Sequence, residues 1–110
     1  MTFNEYQTEA EKTATYPRDT TKEALTYLGL GLTGEAGEVA DKIKKWLRGD
    51  YHLTPQKREE IIYELGDQLW YISEIARELE YELQEVAEMN IKKLRDRQER
   101  NKLHGDGDNR

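Results

Sequence analysis

Apolar residues recur at helical spacing almost from end to end of this chain, and nowhere do they alternate between turn residues as a strand requires. Phe3, Tyr6, Ala10 and Ala14 predict a first helix within residues 1–16, closed at Tyr16-Pro17 because the residue before proline is pushed out of the helical region. Thr20 followed by Glu23 has the form of a capping box and opens a second helix. Its stripe of Leu25, Leu28, Leu32, Val39, Ile43 and Trp46 continues to a stop at Gly49. Thr54-Pro55 is another start signal, a capping hydroxyl with proline at the first helical position. From there Ile62, Leu65, Leu69, Ile72, Ala76 and Leu79 form one stripe. No residue between 55 and 101 breaks a helix by composition, yet one rod of that length would reach about 70 Å. A turn is therefore expected near Glu80 to Glu82, followed by a last helix carrying Leu83, Val86, Ala87, Ile91 and Leu94. Residues 104–110, with Gly105 and Gly107, read as an irregular, flexible tail. The expected architecture is all-α, a four-to-five-helix antiparallel bundle forming one domain over residues 1–110.

Charged residues make up 36% of the chain and hydrophobic ones 35%, with a mean hydropathy of −1.03, so a single core would be thin and oligomerisation is the expected remedy. A net charge of −6 argues against a nucleic-acid duplex as the main partner, since duplex binding relies on a basic surface. With no cysteine there is no disulfide framework, thiolate nucleophile or zinc-thiolate site. No apolar run is long enough to cross a membrane, and Met1 to Ala10 lack a basic region leading into an apolar one. A soluble cytoplasmic protein is expected.

Two acidic pairs share one spacing, Glu35-Ala36-Gly37-Glu38 and Glu64-Leu65-Gly66-Asp67. With 23 acidic residues in 110, roughly five such matches arise by chance, so the spacing alone carries little weight. Register carries more. Glu35 falls in line with Leu28, Leu32, Val39 and Ile43, where a core-facing helix would place an apolar side chain. Gly29, Gly31, Gly34 and Gly37 weaken the same helix, each by up to about 1 kcal/mol relative to alanine, which a helix tolerates where backbone approaches something closely. Residues three apart share a helix face, so antiparallel second and third helices would bring the four carboxylates together. Carboxylates that close repel one another, and a hard divalent cation is their natural partner. Magnesium in turn points to phosphates.

The runs Gly34-Glu35-Ala36-Gly37-Glu38-Val39-Ala40-Asp41 and Glu64-Leu65-Gly66-Asp67-Gln68-Leu69-Trp70-Tyr71, with 25 residues between Glu38 and Glu64, resemble the E-x-x-E and E-x-x-D signature of MazG-type all-α nucleoside triphosphate pyrophosphohydrolases. Asn90, Lys93, Leu94 and Arg97 are similar to that family's N-x-x-K-L-x-x-R run, and the likeness covers about residues 20 to 110. Gln68 departs from it, standing where an apolar residue is usual, and the joint between the last two helices lacks the customary small capping residue.

The resemblance implies catalytic helices over residues 20–103, a homodimer or homotetramer with sites near subunit contacts, and hydrolysis of a nucleoside triphosphate, by analogy a dNTP, to the monophosphate and pyrophosphate. Glu35, Glu38, Glu64 and Asp67 would ligate Mg2+, with Mn2+ as a substitute, and lower the pKa of a bound water. Glu38 is the expected general base. Asn90, Lys93 and Arg97 lie on one face of the last helix and would bind phosphates that the metal leaves exposed.

His52 and His104 lie outside the periodic segments and neither follows a glutamate by three residues, which disfavours a di-iron carboxylate bundle. Trp46, Trp70 and Tyr71 read as core or subunit interface, and Phe3, Tyr6 and Gln7 as candidates for base recognition. A rival reading makes the chain a non-catalytic partner-binding protein whose acidic face meets a basic surface.

Overall fold

A computed structural model describes residues 1–110 as four helices in the order α1 (Phe3–Glu11), α2 (Thr21–Leu47), α3 (Pro55–Glu78) and α4 (Leu83–Glu99), with no strand. The local start signals behave as their chemistry requires. The Thr20 hydroxyl accepts from the Glu23 amide at 3.1 Å, though Glu23 does not return the bond that would complete the expected capping box, and the Thr54 hydroxyl accepts from the Lys57 amide at 3.2 Å, with Pro55 opening α3. At the far end of α2 Gly49 takes φ 88, the left-handed bend that ends helices cheaply. Thr2 and Glu5 form a reciprocal capping box on α1.

The first helix is shorter than Pro17 alone would make it. Its last carbonyls are drawn elsewhere: Ala10 O accepts from the Trp70 indole at 3.1 Å and from the Thr13 hydroxyl at 2.9 Å, so the helix closes at Glu11. Residues 12–16 instead lead Tyr16 into the core, where it packs with Ala24 and Leu28 against Trp70, Tyr71 and Ile75.

The turn between α3 and α4 falls at Glu80, which takes φ 66. A residue with a Cβ is strained there, and Glu80→Gly is expected to stabilise the protein by about 0.5–1 kcal/mol, read as a higher denaturant midpoint; an unchanged midpoint would show the strain to be relieved locally. In place of a small cap, α4 is capped from α1. Gln7 Oε1 accepts from the Leu83 amide at 3.0 Å, and Asn4 Oδ1 accepts from the Gln84 amide at 3.2 Å. The Gln7 amide group also donates to the Ser73 and Tyr81 carbonyls, at 3.3 and 3.1 Å. This spends Gln7 on structure rather than on a base.

Helix α2 packs along α3, α1 crosses α3 and α4, and α2 and α4 do not meet. The four helices therefore form an open V rather than a closed bundle. Only ten of 110 residues are buried, and the radius of gyration is 16.7 Å where about 13 Å is usual for this length. Leu32, Ile72, Ile75, Leu79, Val86 and Met89 line a groove of about 730 Å³ between the arms of the V. No helix is long and apolar enough to cross a membrane.

Candidate metal centre

The α2–α3 pairing is antiparallel, so the acidic pairs meet as the loop lengths require. Tyr71 of α3 lies against Gly31 of α2, and four residues nearer the loop on each helix Glu35 meets Asp67 and Glu64. A Cβ on Gly31 would overlap the Tyr71 ring, so the glycine is what lets the two helices close at this level. One carboxylate oxygen from each of Glu35, Glu64 and Asp67 lies within 4.8 Å of the others. Oxygens sharing one octahedral magnesium lie about 2.9 to 4.2 Å apart, so small side-chain rotations would close the set on an ion.

The electrostatics report the crowding. The Glu35 carboxyl is pushed above its ordinary range, first by burial, then by its hydrogen bond with Glu64 and by the negative charges of Asp67, Glu64 and Glu38. Burial also raises Tyr71, helped by Tyr27, Glu35 and Asp67, which puts its hydroxyl in the field of the cluster. Tyr6 of α1 is raised by burial and by Asp67 and Glu74, which places α1 beside the same carboxylates. Asp41 behaves oppositely. Its hydrogen bond with Lys45 and the nearby Lys44 lower it, because it is paired on the outer face of α2 and takes no part in the cluster.

Three of the four expected metal ligands thus converge, and Glu38 stands apart. It is exposed and lies outside the three-carboxylate set, though near enough for its charge to act on Glu35. Asn90 and Lys93 line the groove between the arms of the V, on the wall opposite Leu32, which lies one turn before Glu35. Arg97 is nearly buried, its guanidinium donating to the Asp108 carbonyl at 2.6 Å.

Lys42, which by spacing could serve either as a phosphate contact or as charge balance for the acids, has its ammonium 3.9 Å from Glu64 Oε1. Lys42 is seven residues from Glu35 and shares its face. Three clustered carboxylates with one amine beside them form a centre able to hold a divalent cation and, through it, a polyphosphate.

Comparison with known proteins agrees with this chemistry. A family model described as the MazG nucleotide pyrophosphohydrolase domain matches residues 23–101. The "Gene 37 protein" of Mycobacterium phage L5 is 42% identical over 109 residues, covering 96% of each chain. No solved structure matches the chain.

Proposed function

The chain belongs to the MazG nucleotide pyrophosphohydrolase domain family, and on that premise we propose that it hydrolyses a nucleoside triphosphate, preferring a dNTP, to the monophosphate and pyrophosphate. The observation that carries the proposal is the convergence of Glu35, Glu64 and Asp67 from two helices, with Glu35 pushed up by its neighbours. Their all-oxygen, anionic donor set suits Mg2+, with Mn2+ as substitute, and would not select a softer metal. Such an ion would neutralise phosphate charge and acidify a water.

The protein's own residues then divide the work. Glu35, Glu64 and Asp67 would hold the cation between α2 and α3. Glu38, outside that set but near enough for its charge to act on Glu35, accepts the proton of the attacking water. Water oxygen bonds to phosphorus as the anhydride between the first and second phosphates breaks, and pyrophosphate leaves. Asn90 and Lys93 face the groove whose other wall holds Leu32, one turn before Glu35, and meet phosphate oxygens that the metal would leave uncovered. The exposed apolar side chains outside this groove, among them Leu30, Leu47, Ile62 and Tyr63, and the thin core are covered by a second copy of the chain, giving a homodimer or homotetramer.

The test is incubation with each common NTP and dNTP in magnesium, scoring monophosphate and pyrophosphate by ion exchange, with the mass of the same preparation read by light scattering. Release of both products from one or two substrates, stopped by EDTA, is expected from a particle of at least two chains. No turnover with any of them would overturn the proposal, and a monomer would remove its oligomeric part.

The raised Glu35 carboxyl gives a second handle. A carboxyl whose pKa is higher folded than unfolded makes the folded state bind the extra proton, so stability falls as pH rises from the ordinary carboxylate pKa through the raised one. At neutral pH the cluster without a cation therefore weakens the fold. Glu35→Gln is expected to raise Tm by about 3 °C or more in EDTA and to melt below the native protein in millimolar magnesium. The same order of melting in both solutions would take Glu35 out of the metal set.

A further inference from the structure

Beyond α4 the chain turns back on itself. Asn101 takes φ 58, and the Lys102 amide donates to the Arg97 carbonyl at 2.6 Å. Gly105 and Gly107, at φ 143 and 82, make the next bends in conformations that a side chain would strain. The Arg110 guanidinium fills the inside of this hook. Its Nε donates to Lys102 O at 3.3 Å, Nη2 to Leu103 O at 3.2 Å and Nη1 to Gly107 O at 2.6 Å. Its Cδ would lie only 3.1 Å from a Cβ on Gly105. Arg100 Nη2 closes the hook by donating to Arg110 O at 2.5 Å.

The hook delivers one residue to the cationic face of α4. Asp108 accepts from Arg97 Nη2 through its backbone carbonyl at 2.6 Å, while its carboxylate Oδ1 stands 3.9 Å from the same nitrogen and 3.8 Å from Lys93 Nζ. The Arg97 side chain is left 6% exposed and Lys93 44% exposed. Arg97 is therefore taken up as the anchor of the hook, and Lys93, one turn nearer the groove, is the cation still open to a ligand. A lysine ammonium on its four-carbon stem is mobile unless something restrains it.

We infer that Asp108 is a positioning residue for the phosphate-binding lysine: carried on the Arg97–Arg110 hook, its carboxylate holds the Lys93 ammonium at the groove that Lys93 and Asn90 line across from Leu32, one turn before Glu35. The inference rests on the reading of Lys93 as a phosphate contact. The pair is loose enough, with Asp108 92% exposed, for a phosphate oxygen to join Lys93 without first breaking a buried bond. Two left-handed glycines, a left-handed asparagine and the Arg110 guanidinium set the path that brings this one exposed carboxylate beside Lys93.

The test is a double-mutant cycle on the full chain, read with the dNTP it turns over best and, in parallel, by calorimetric titration with inorganic tripolyphosphate and magnesium. Asp108→Asn is expected to raise KM and the tripolyphosphate Kd about threefold to tenfold while kcat stays within about twofold, and Asp108→Glu to recover most of the loss. In a Lys93→Ala background Asp108→Asn is expected to change nothing further. Arg110→Ala, which opens the hook, should behave like Asp108→Asn in both backgrounds. An unchanged KM and Kd overturns the inference. So does an equal loss with and without Lys93, which marks a purely structural tail, or a fall in KM, which marks Asp108 as a competitor for the phosphate seat. If the native protein turns over no nucleotide the proposed reaction fails instead, and the tripolyphosphate cycle still decides the role of Asp108.

Discussion

Asp67→Asn is expected to cut turnover by at least about a hundredfold while leaving the helices intact. Asp67 is exposed and contributes to no core contact, so its loss costs little folding energy, and the amide keeps the size of the side chain. What changes is charge and ligand chemistry. One of three converging anionic oxygens becomes a weak neutral donor, and the repulsion that raises Glu35 relaxes. The variant without metal should therefore melt no lower than the native protein, and magnesium should raise its Tm less than it raises the native one. Turnover within about tenfold of native, with native helicity by circular dichroism, would remove Asp67 from the catalytic centre.

The largest loss of stability is expected at Arg77, where Arg77→Met should cost about 3–5 kcal/mol in urea denaturation. Glu74 is fully buried in the polar part of the core, and its Oε2 accepts from Arg77 Nε at 2.7 Å and from Nη2 at 2.5 Å. Its Oε1 has no partner, so the Arg77 guanidinium is the cation that compensates this charge. The same guanidinium donates to the Tyr16 hydroxyl at 2.9 Å, which in turn donates to Glu78 at 2.6 Å. Methionine keeps the aliphatic bulk and deletes every bond the guanidinium makes, leaving the Tyr16 to Glu78 bond of this group in place. Removing both charges together, with Glu74→Leu and Arg77→Met, is expected to recover most of the loss, because the buried charge then has no need of a partner. A single variant within about 1 kcal/mol of native would show that water already reaches Glu74.

Much of this architecture was legible because its causes are local. Thr20, Thr54-Pro55 and Gly49 mark helix ends through bonds to residues a turn away, and they stand where the spacing puts them. The acidic face of α2 was legible for a related reason. Glu35 breaks an otherwise apolar register, and short connections leave α2 and α3 little choice but to lie antiparallel. Bonds between residues far apart in the chain were not legible. The early end of α1 depends on Trp70 reaching Ala10, and the start of α4 depends on Gln7 and Asn4, more than seventy residues away. The Glu74–Arg77–Tyr16 cluster was not legible either, since burial of a charged pair leaves no mark on periodicity. The tail read as irregular from its glycines, which on their own do not reveal that Arg110 organises them into a hook.

The capping of α4 by α1 has a consequence for the order in which the molecule assembles. Helices α2 and α3 are neighbours in the chain joined by a short connection, and they can zip together early. Helix α1 gains its partners only by closing loops of some sixty to eighty residues, so it docks late and, in local fluctuations, leaves first. Each time it leaves, the Leu83 and Gln84 amides lose their acceptors and the opening turn of α4 frays with it. Their hydrogen-exchange protection can therefore be no greater than the free energy of undocking α1. The first turn of the helix that carries Asn90 and Lys93 thus depends on another segment as well as on its own Glu82–Glu85 cap, and a lesion at Asn4 or Gln7 would loosen that turn from a distance.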